Sequence, residues 1–95
     1  LVFGAMNDKS VARILEVLAP LAETIVVTQP SNSRSLFYGE LLDQLPSNIS
    51  KKKTFATNSV ANAIVIANEI NLDGGIILVT GSLYLVGEVK KILNN

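Results

Sequence analysis

The residues of this chain best suited to chemistry are Thr80-Gly81-Ser82, which stand where an apolar run, Ile76-Ile-Leu-Val79, gives way to a helical pattern. A glycine at such a break lets the backbone turn sharply and approach a ligand closely. Ser82 is placed to cap the helix through its hydroxyl, leaving N–H groups aimed beyond the strand. That is an anion-binding arrangement, and it is also how an ordinary strand-to-helix turn is built. The other candidates are charged residues close to strand ends. Asp8 precedes a helical pattern, where a lone carboxylate serves as a helix-start residue as readily as a substrate contact. Lys9 beside it offers a charge to a phosphate or carboxylate, or simply to solvent. Arg34 lies in the polar loop Ser31-Asn-Ser-Arg34, placed for bidentate contact with an anion. A surface arginine near a helix start would have the same sequence. Lys51-Lys52-Lys53 reads as charge protecting a sheet edge, and Tyr84 as a packed residue in the first turn of the last helix.

No complete catalytic set accompanies these residues. The chain contains no histidine and no cysteine, so it lacks the commonest general base and all thiolate chemistry. Neither G-x-x-x-x-G-K-[ST] nor G-x-G-x-x-G occurs. Eight basic residues balance eight acidic ones, which argues against a nucleic-acid or membrane-surface partner. No apolar run approaches the roughly 18 residues of a membrane span, and nothing resembles a signal peptide. Hydrophobic residues make up 48% of the chain and charged ones 17%, enough for an ordered core. The apolar content is mostly Leu, Ile, Val and Ala, favouring strands buried on both faces of a parallel sheet.

Four strand–helix units position the candidates. Leu1 to Met6 reads as a strand, Asn7 to Ser10 as turn and capping residues, and Val11, Ile14, Leu15 and Leu18 as a helix ended by Pro20. Thr24 to Thr28 is β-branched and bounded by Gln29-Pro30, so it reads as a strand. Ser35 is the expected cap of a helix from Leu36 to Leu45 that buries Tyr38, Leu41, Leu42 and Leu45. Lys53 to Ala56 reads as a short edge strand. Asn58 or Ser59 caps a third helix carrying Val60, Ala63, Ile64 and Ala67 on one face, with Asn71 to Gly75 as its exit. Ile76 to Thr80 is the fourth strand and Leu83 to Leu93 the last helix. This alternation predicts an α/β fold with a mostly parallel sheet of about four strands and right-handed crossovers. Ligands of such sheets sit at the carboxyl ends of the strands. That rule puts Asn7-Asp8-Lys9, Gln29 to Arg34, Thr57-Asn58 and Gly81-Ser82 along one rim.

The order of residues in Thr80-Gly-Ser-Leu-Tyr-Leu-Val-Gly-Glu-Val89 resembles the last strand and helix of folylpolyglutamate synthase/dihydrofolate synthase, of the Mur ligase superfamily. The resemblance extends over nearly the whole chain. It includes Phe3-Gly-Ala-Met6 followed by the acidic–Lys pair Asp8-Lys9, then Ala19-Pro20-Leu21, the strand ending at Thr28, and Arg34-Ser35. Ser10 stands where the family often has a second acidic residue. Either type can cap a helix, but serine does not supply the substrate contact that a carboxylate would make there.

The resemblance implies a three-layer, Rossmann-like C-terminal domain of an ATP-dependent amide ligase, with residues 1–95 as a single domain lacking its first strand. Such enzymes phosphorylate a carboxylate of folate or dihydropteroate, and the amino group of L-glutamate attacks the acyl phosphate. ATP and Mg²⁺ would be held mainly by the enzyme's own N-terminal ATPase domain, and the cytoplasm is the expected location. Ser82 and Gly81 would face the substrate cleft, with Asp8, Lys9 and Arg34 in polar contact near it. The fragment alone is expected to be inactive. Another Mur-type ligase acting on a cell-wall precursor, or a non-catalytic α/β binding module, are the alternative readings.

Overall fold

The computed structural model describes residues 1–7, 10–49, 53–71 and 74–94. Four strands, β1 (Val2–Phe3), β2 (Ile25–Val27), β3 (Thr54–Ala56) and β4 (Val79–Thr80), alternate with helices α1 (Val11–Leu18), α2 (Tyr38–Asp43), α3 (Val60–Ile70) and α4 (Leu83–Leu93). All strand pairs are parallel, in the order β3-β2-β1-β4. The chain therefore builds outward from β1 to β3 and then crosses back to place β4 on the other side of β1. The strand order reverses between β1 and β4, and open parallel sheets bind ligands at such a crevice.

Alternation along the strands divides the core into two layers. Phe3, Ile25 and Val27 pack with Val11, Leu15 and Leu41 of α1 and α2 on one face. Val2 and Val26 turn to the opposite face against Ala63 and Ala67 of α3, and Leu85 and Val89 of α4 meet Val60 and Ile64 of α3 there. Phe3, Leu15, Ile25, Leu41 and Leu85 are fully buried. Each contributes about 1.5–3 kcal/mol over an exposed side chain. Thr28 is also fully buried, and among the described residues its hydroxyl has no hydrogen-bond partner.

The central strands, β1 and β2, are buried on both faces as the composition predicts. The fourth strand departs from that expectation. Only Val79 and Thr80 of the apolar run 76–80 pair with β1, and the run lies at a sheet edge. Ile76 is 94% and Leu78 51% exposed, because no element covers that side of the edge among the described residues. β3 is the edge strand expected from Lys53, while Lys51 and Lys52 lie outside the described residues.

The helix starts also differ in part. Ser59, rather than Asn58, caps α3 by accepting from the Asn62 N–H at 3.2 Å. Ser35 does not cap α2. It forms an antiparallel bridge with Met6 and donates its hydroxyl to the Pro30 carbonyl at 2.8 Å, so α2 begins at Tyr38, whose N–H Gln29 Oε1 accepts at 3.1 Å. The later start turns Tyr38 and Leu42 from the core, and only Leu41 of that helix is fully buried. Pro20 ends α1 as expected, in a short 3-10 turn over 19–21.

Candidate functional site

The crevice between β1 and β4 is shaped by two glycines. Gly81 has φ +118°, which L side chains rarely adopt. A Cβ there would collide with the Gly4 carbonyl oxygen and lie 3.1 Å from both Gly4 C and Phe3 Cε1. The turn after β4 thus rests directly on the backbone leaving β1. Gly4 is equally confined, since a Cβ on it would lie 2.8 Å from the Thr28 carbonyl oxygen, 3.2 Å from Pro30 and 3.4 Å from Leu85. Its lack of a side chain lets the β2–α2 loop and α4 close over the end of β1.

Ser82 is the N-cap of α4, with its hydroxyl oxygen accepting from the Leu85 N–H at 3.0 Å and its carbonyl accepting from the Val86 N–H at 3.2 Å. A serine hydroxyl that accepts in this way still has its own hydrogen to donate. Together with the leading amides of α4, which have no intrahelical partner, it presents donors to an anion at the positive end of the helix. Beside it lies a groove of about 270 Å³ between Met6, Val11 and Ile14 on one side and Ser82, Leu83 and Tyr84 on the other, floored by Ala5 and Gly81. Tyr84 is 57% exposed. It lines this groove instead of packing inward, because Leu85 and Val89 hold the sheet-facing side of α4.

Arg34 reaches the same rim by a route that is not visible in its spacing. The loop after β2 is stitched to the segment after β1 by Asn7 N–H to the Arg34 carbonyl (2.9 Å) and Leu36 N–H to the Ala5 carbonyl (2.8 Å). Within the loop the Arg34 N–H donates to Asn32 Oδ1 at 2.9 Å, fixing the backbone and leaving the side chain exposed. On its other flank Ser31 donates to Glu88 of α4, from its N–H to Oε1 and from its hydroxyl to Oε2 at 3.3 Å. Asp8 and Lys9, which follow Asn7, lie outside the described residues. The structure therefore brings Gly81, Ser82 and Arg34 to the carboxyl end of the sheet, in the segments that follow the two strands flanking β1. Sequence reasoning missed Glu88, whose partner is 57 residues away and has no motif of its own.

The arrangement suits binding rather than proton transfer. Ser82 and the leading amides of α4 supply hydroxyl and amide donors, and Arg34 is an exposed cation in the neighbouring loop. Among the described residues no three acidic, His or Cys side chains converge to hold a metal ion. A larger cavity of about 470 Å³ opens at the opposite end of the sheet, between Leu1, Leu18, Leu21, Ile76 and Leu78. Its walls mix apolar residues with Glu23, Thr24 and Asn71, and it faces the amino ends of the strands, away from the end where open parallel sheets bind ligands. The Leu1 amine is at that end, donating to the Thr24 carbonyl at 2.9 Å, and burial lowers its pKa from the ordinary 8.0.

No protein-family model matches the chain, and neither does any curated protein. Solved structures do. A structure of Mycobacterium tuberculosis folylpolyglutamate synthase complexed with ADP and AMPPCP superposes with a TM-score of 0.86 over 99% of this chain, at 23% identity. A second structure of that enzyme, complexed with ADP, gives 0.86 over 99% at 22% identity. The chain spans 23% of the length of each. It therefore has the α/β fold of one part of that synthase.

Proposed function

We propose that the chain is the C-terminal domain of an ATP-dependent ligase that adds L-glutamate to folate or dihydropteroate through an acyl phosphate. The observation that carries this reading is the turn at Gly81-Ser82. The ten residues with the most specific resemblance, 80–89, form a glycine turn and a capped helix at the point where strand order reverses.

On this reading each rim residue has a binding role. Ser82 donates its hydroxyl hydrogen to a substrate carboxylate, and the leading amides of α4 share that charge. Gly81 keeps the floor of the crevice free of side chain. Arg34 meets a second anionic group from across β1, and the resemblance assigns polar substrate contacts to Asp8 and Lys9. The donors fit the anionic parts of glutamate and nucleotide. The described residues offer no carboxylate cluster for Mg²⁺, which the N-terminal ATPase domain would hold with most of the ATP. ATP, when bound there, supplies the phosphoryl group that activates the folate carboxylate. This chain alone would not turn over, because its residues position substrate and carry no phosphoryl-transfer machinery.

The uncovered side of β4 supports placement within a longer protein. Ile76 and Leu78 line one hollow with Leu18 and Leu21, so sheet edge and helix flank form one surface. A strand beyond β4 leading into β1 by a right-handed crossover would lay its helix on this side of the sheet. That fits a domain whose first strand precedes Leu1. No helix among the described residues is long and apolar enough to cross a membrane, and the proposed setting is the cytoplasm.

The test is to read the gene upstream of the Leu1 codon and assay the full-length product. An upstream Gly-Lys-Ser/Thr phosphate loop with ATP-dependent glutamate addition supports the proposal. An unrelated upstream domain, or a full-length product without ligase activity, overturns it.

A further inference from the structure

The two donor-bearing segments of the rim, α4 with Ser82 and the β2–α2 loop with Arg34, belong to units far apart in sequence. Two features bring them together above β1. One is apolar, where Pro30 and Leu85 both close on the position of Gly4. The other is polar, one residue beyond Pro30 and three beyond Leu85, where the Glu88 carboxylate accepts from both donors of Ser31. On its far side the loop is held by the Met6–Ser35 bridge and the Asn7–Arg34 bond, so Glu88 fastens its remaining free flank. Glu88 is half-buried while Ser31 is exposed, and Pro30 between strand and loop is buried. A carboxylate that accepts from an N–H and a hydroxyl together makes stronger bonds than a neutral acceptor.

The geometry points to Glu88 as a positioning residue: it locks the Arg34 loop to the helix that carries Ser82, and so sets the spacing between the two anion-binding donors. This rests on the ligase reading of the rim. Glu88 touches no substrate in this scheme. It makes Ser82 and Arg34 behave as one preorganised site, and its loss would weaken binding without changing the chemical step.

Two measurements test it. Amide exchange in the 95-residue chain reads the lock directly. In Glu88→Ala the amides of 31–35 exchange about tenfold faster while the Leu85 amide, held by Ser82, is unchanged. Glu88→Gln keeps an oxygen for the Ser31 N–H and restores protection. Ser31→Ala removes only the hydroxyl contact and gives a smaller increase, which keeps the test decisive if Glu88→Ala folds poorly. Equal exchange in wild type and Glu88→Ala overturns the lock. In the full-length protein Glu88→Ala raises the KM for L-glutamate severalfold at constant kcat, and Glu88→Gln rescues it. A freed loop with unchanged KM overturns the positioning role. Failure of the ligase reading is separately visible, as a wild-type protein that adds no glutamate while the exchange result still stands.

Discussion

Replacing Gly81 by alanine tests the turn on which the site is built. The added methyl would meet two penalties at once. At φ +118° an L side chain is strained, at a cost of about 1–3 kcal/mol. The Cβ would also run into the Gly4 carbonyl, with Gly4 C and Phe3 Cε1 at 3.1 Å. These atoms belong to the buried backbone leaving β1 and to a fully buried ring, so relief requires movement of the core, at about 1–3 kcal/mol. The combined loss is about 2–6 kcal/mol, against a total stability of about 5–14 kcal/mol for a chain of this length. Gly87 is the matched control. It sits exposed inside α4, where an added methyl would meet no atom within 4 Å, so Gly87→Ala in the same helix improves propensity alone. That change stabilises by about 0.5–1 kcal/mol. Urea denaturation followed by far-ultraviolet circular dichroism compares the two. With a slope of about 1.5 kcal/mol/M, a loss of about 3 kcal/mol lowers the midpoint by about 2 M. Gly87→Ala should raise it slightly. A Gly81→Ala protein within about 1 kcal/mol of wild type would refute the reasoning, since the turn could then not be pressed against β1 at positive φ.

Three further outcomes follow from the same fold. Ser82→Ala and Ser59→Ala each remove a helix cap and should each cost about 1 kcal/mol in urea melts. In the full-length protein only Ser82→Ala should raise the KM for glutamate, by about 1–2 kcal/mol or roughly five- to thirtyfold, and equal KM values for the two would leave Ser82 as a cap alone. Thr28→Val replaces a buried hydroxyl that has no partner among the described residues with a methyl of similar size, and should stabilise by about 1 kcal/mol or more. A destabilised Thr28→Val chain would show that the hydroxyl is bonded in solution. In the isolated 95-residue chain the Leu1 amine has a folded pKa below its ordinary 8.0, so at intermediate pH the unfolded chain binds more protons than the folded one. Stability should therefore rise with pH through the window below 8.0 and level off above it. N-terminal acetylation should remove that slope, and an unchanged slope would trace it to another group.

The parallel α/β class, the strand–helix alternation, and the turn and cap at Gly81 and Ser82 are legible from local sequence. A β-branched run such as Ile25–Val27, a glycine at a strand end and a serine before a helical stripe carry their meaning within a few residues. Strand order is not legible in this way. The apolar run 76–80 has the composition of a strand buried on both faces, yet it lies at an edge, because hydrophobicity records what a segment can bury and not which neighbours it has. Ser35 and Tyr84 depart from their expected roles for a related reason. Ser35 is taken by a bridge to Met6, and Tyr84 is left outside once Leu85 and Val89 occupy the sheet side of α4. The joining of distant segments belongs to the tertiary structure alone: Gly81 against Gly4, Arg34 beside Asn7, and Glu88 on Ser31. The first and last form only after the crossover from β3 to β4 sets α4 beside the end of β1, and the second only once β2 lies beside β1, so no local spacing announces them.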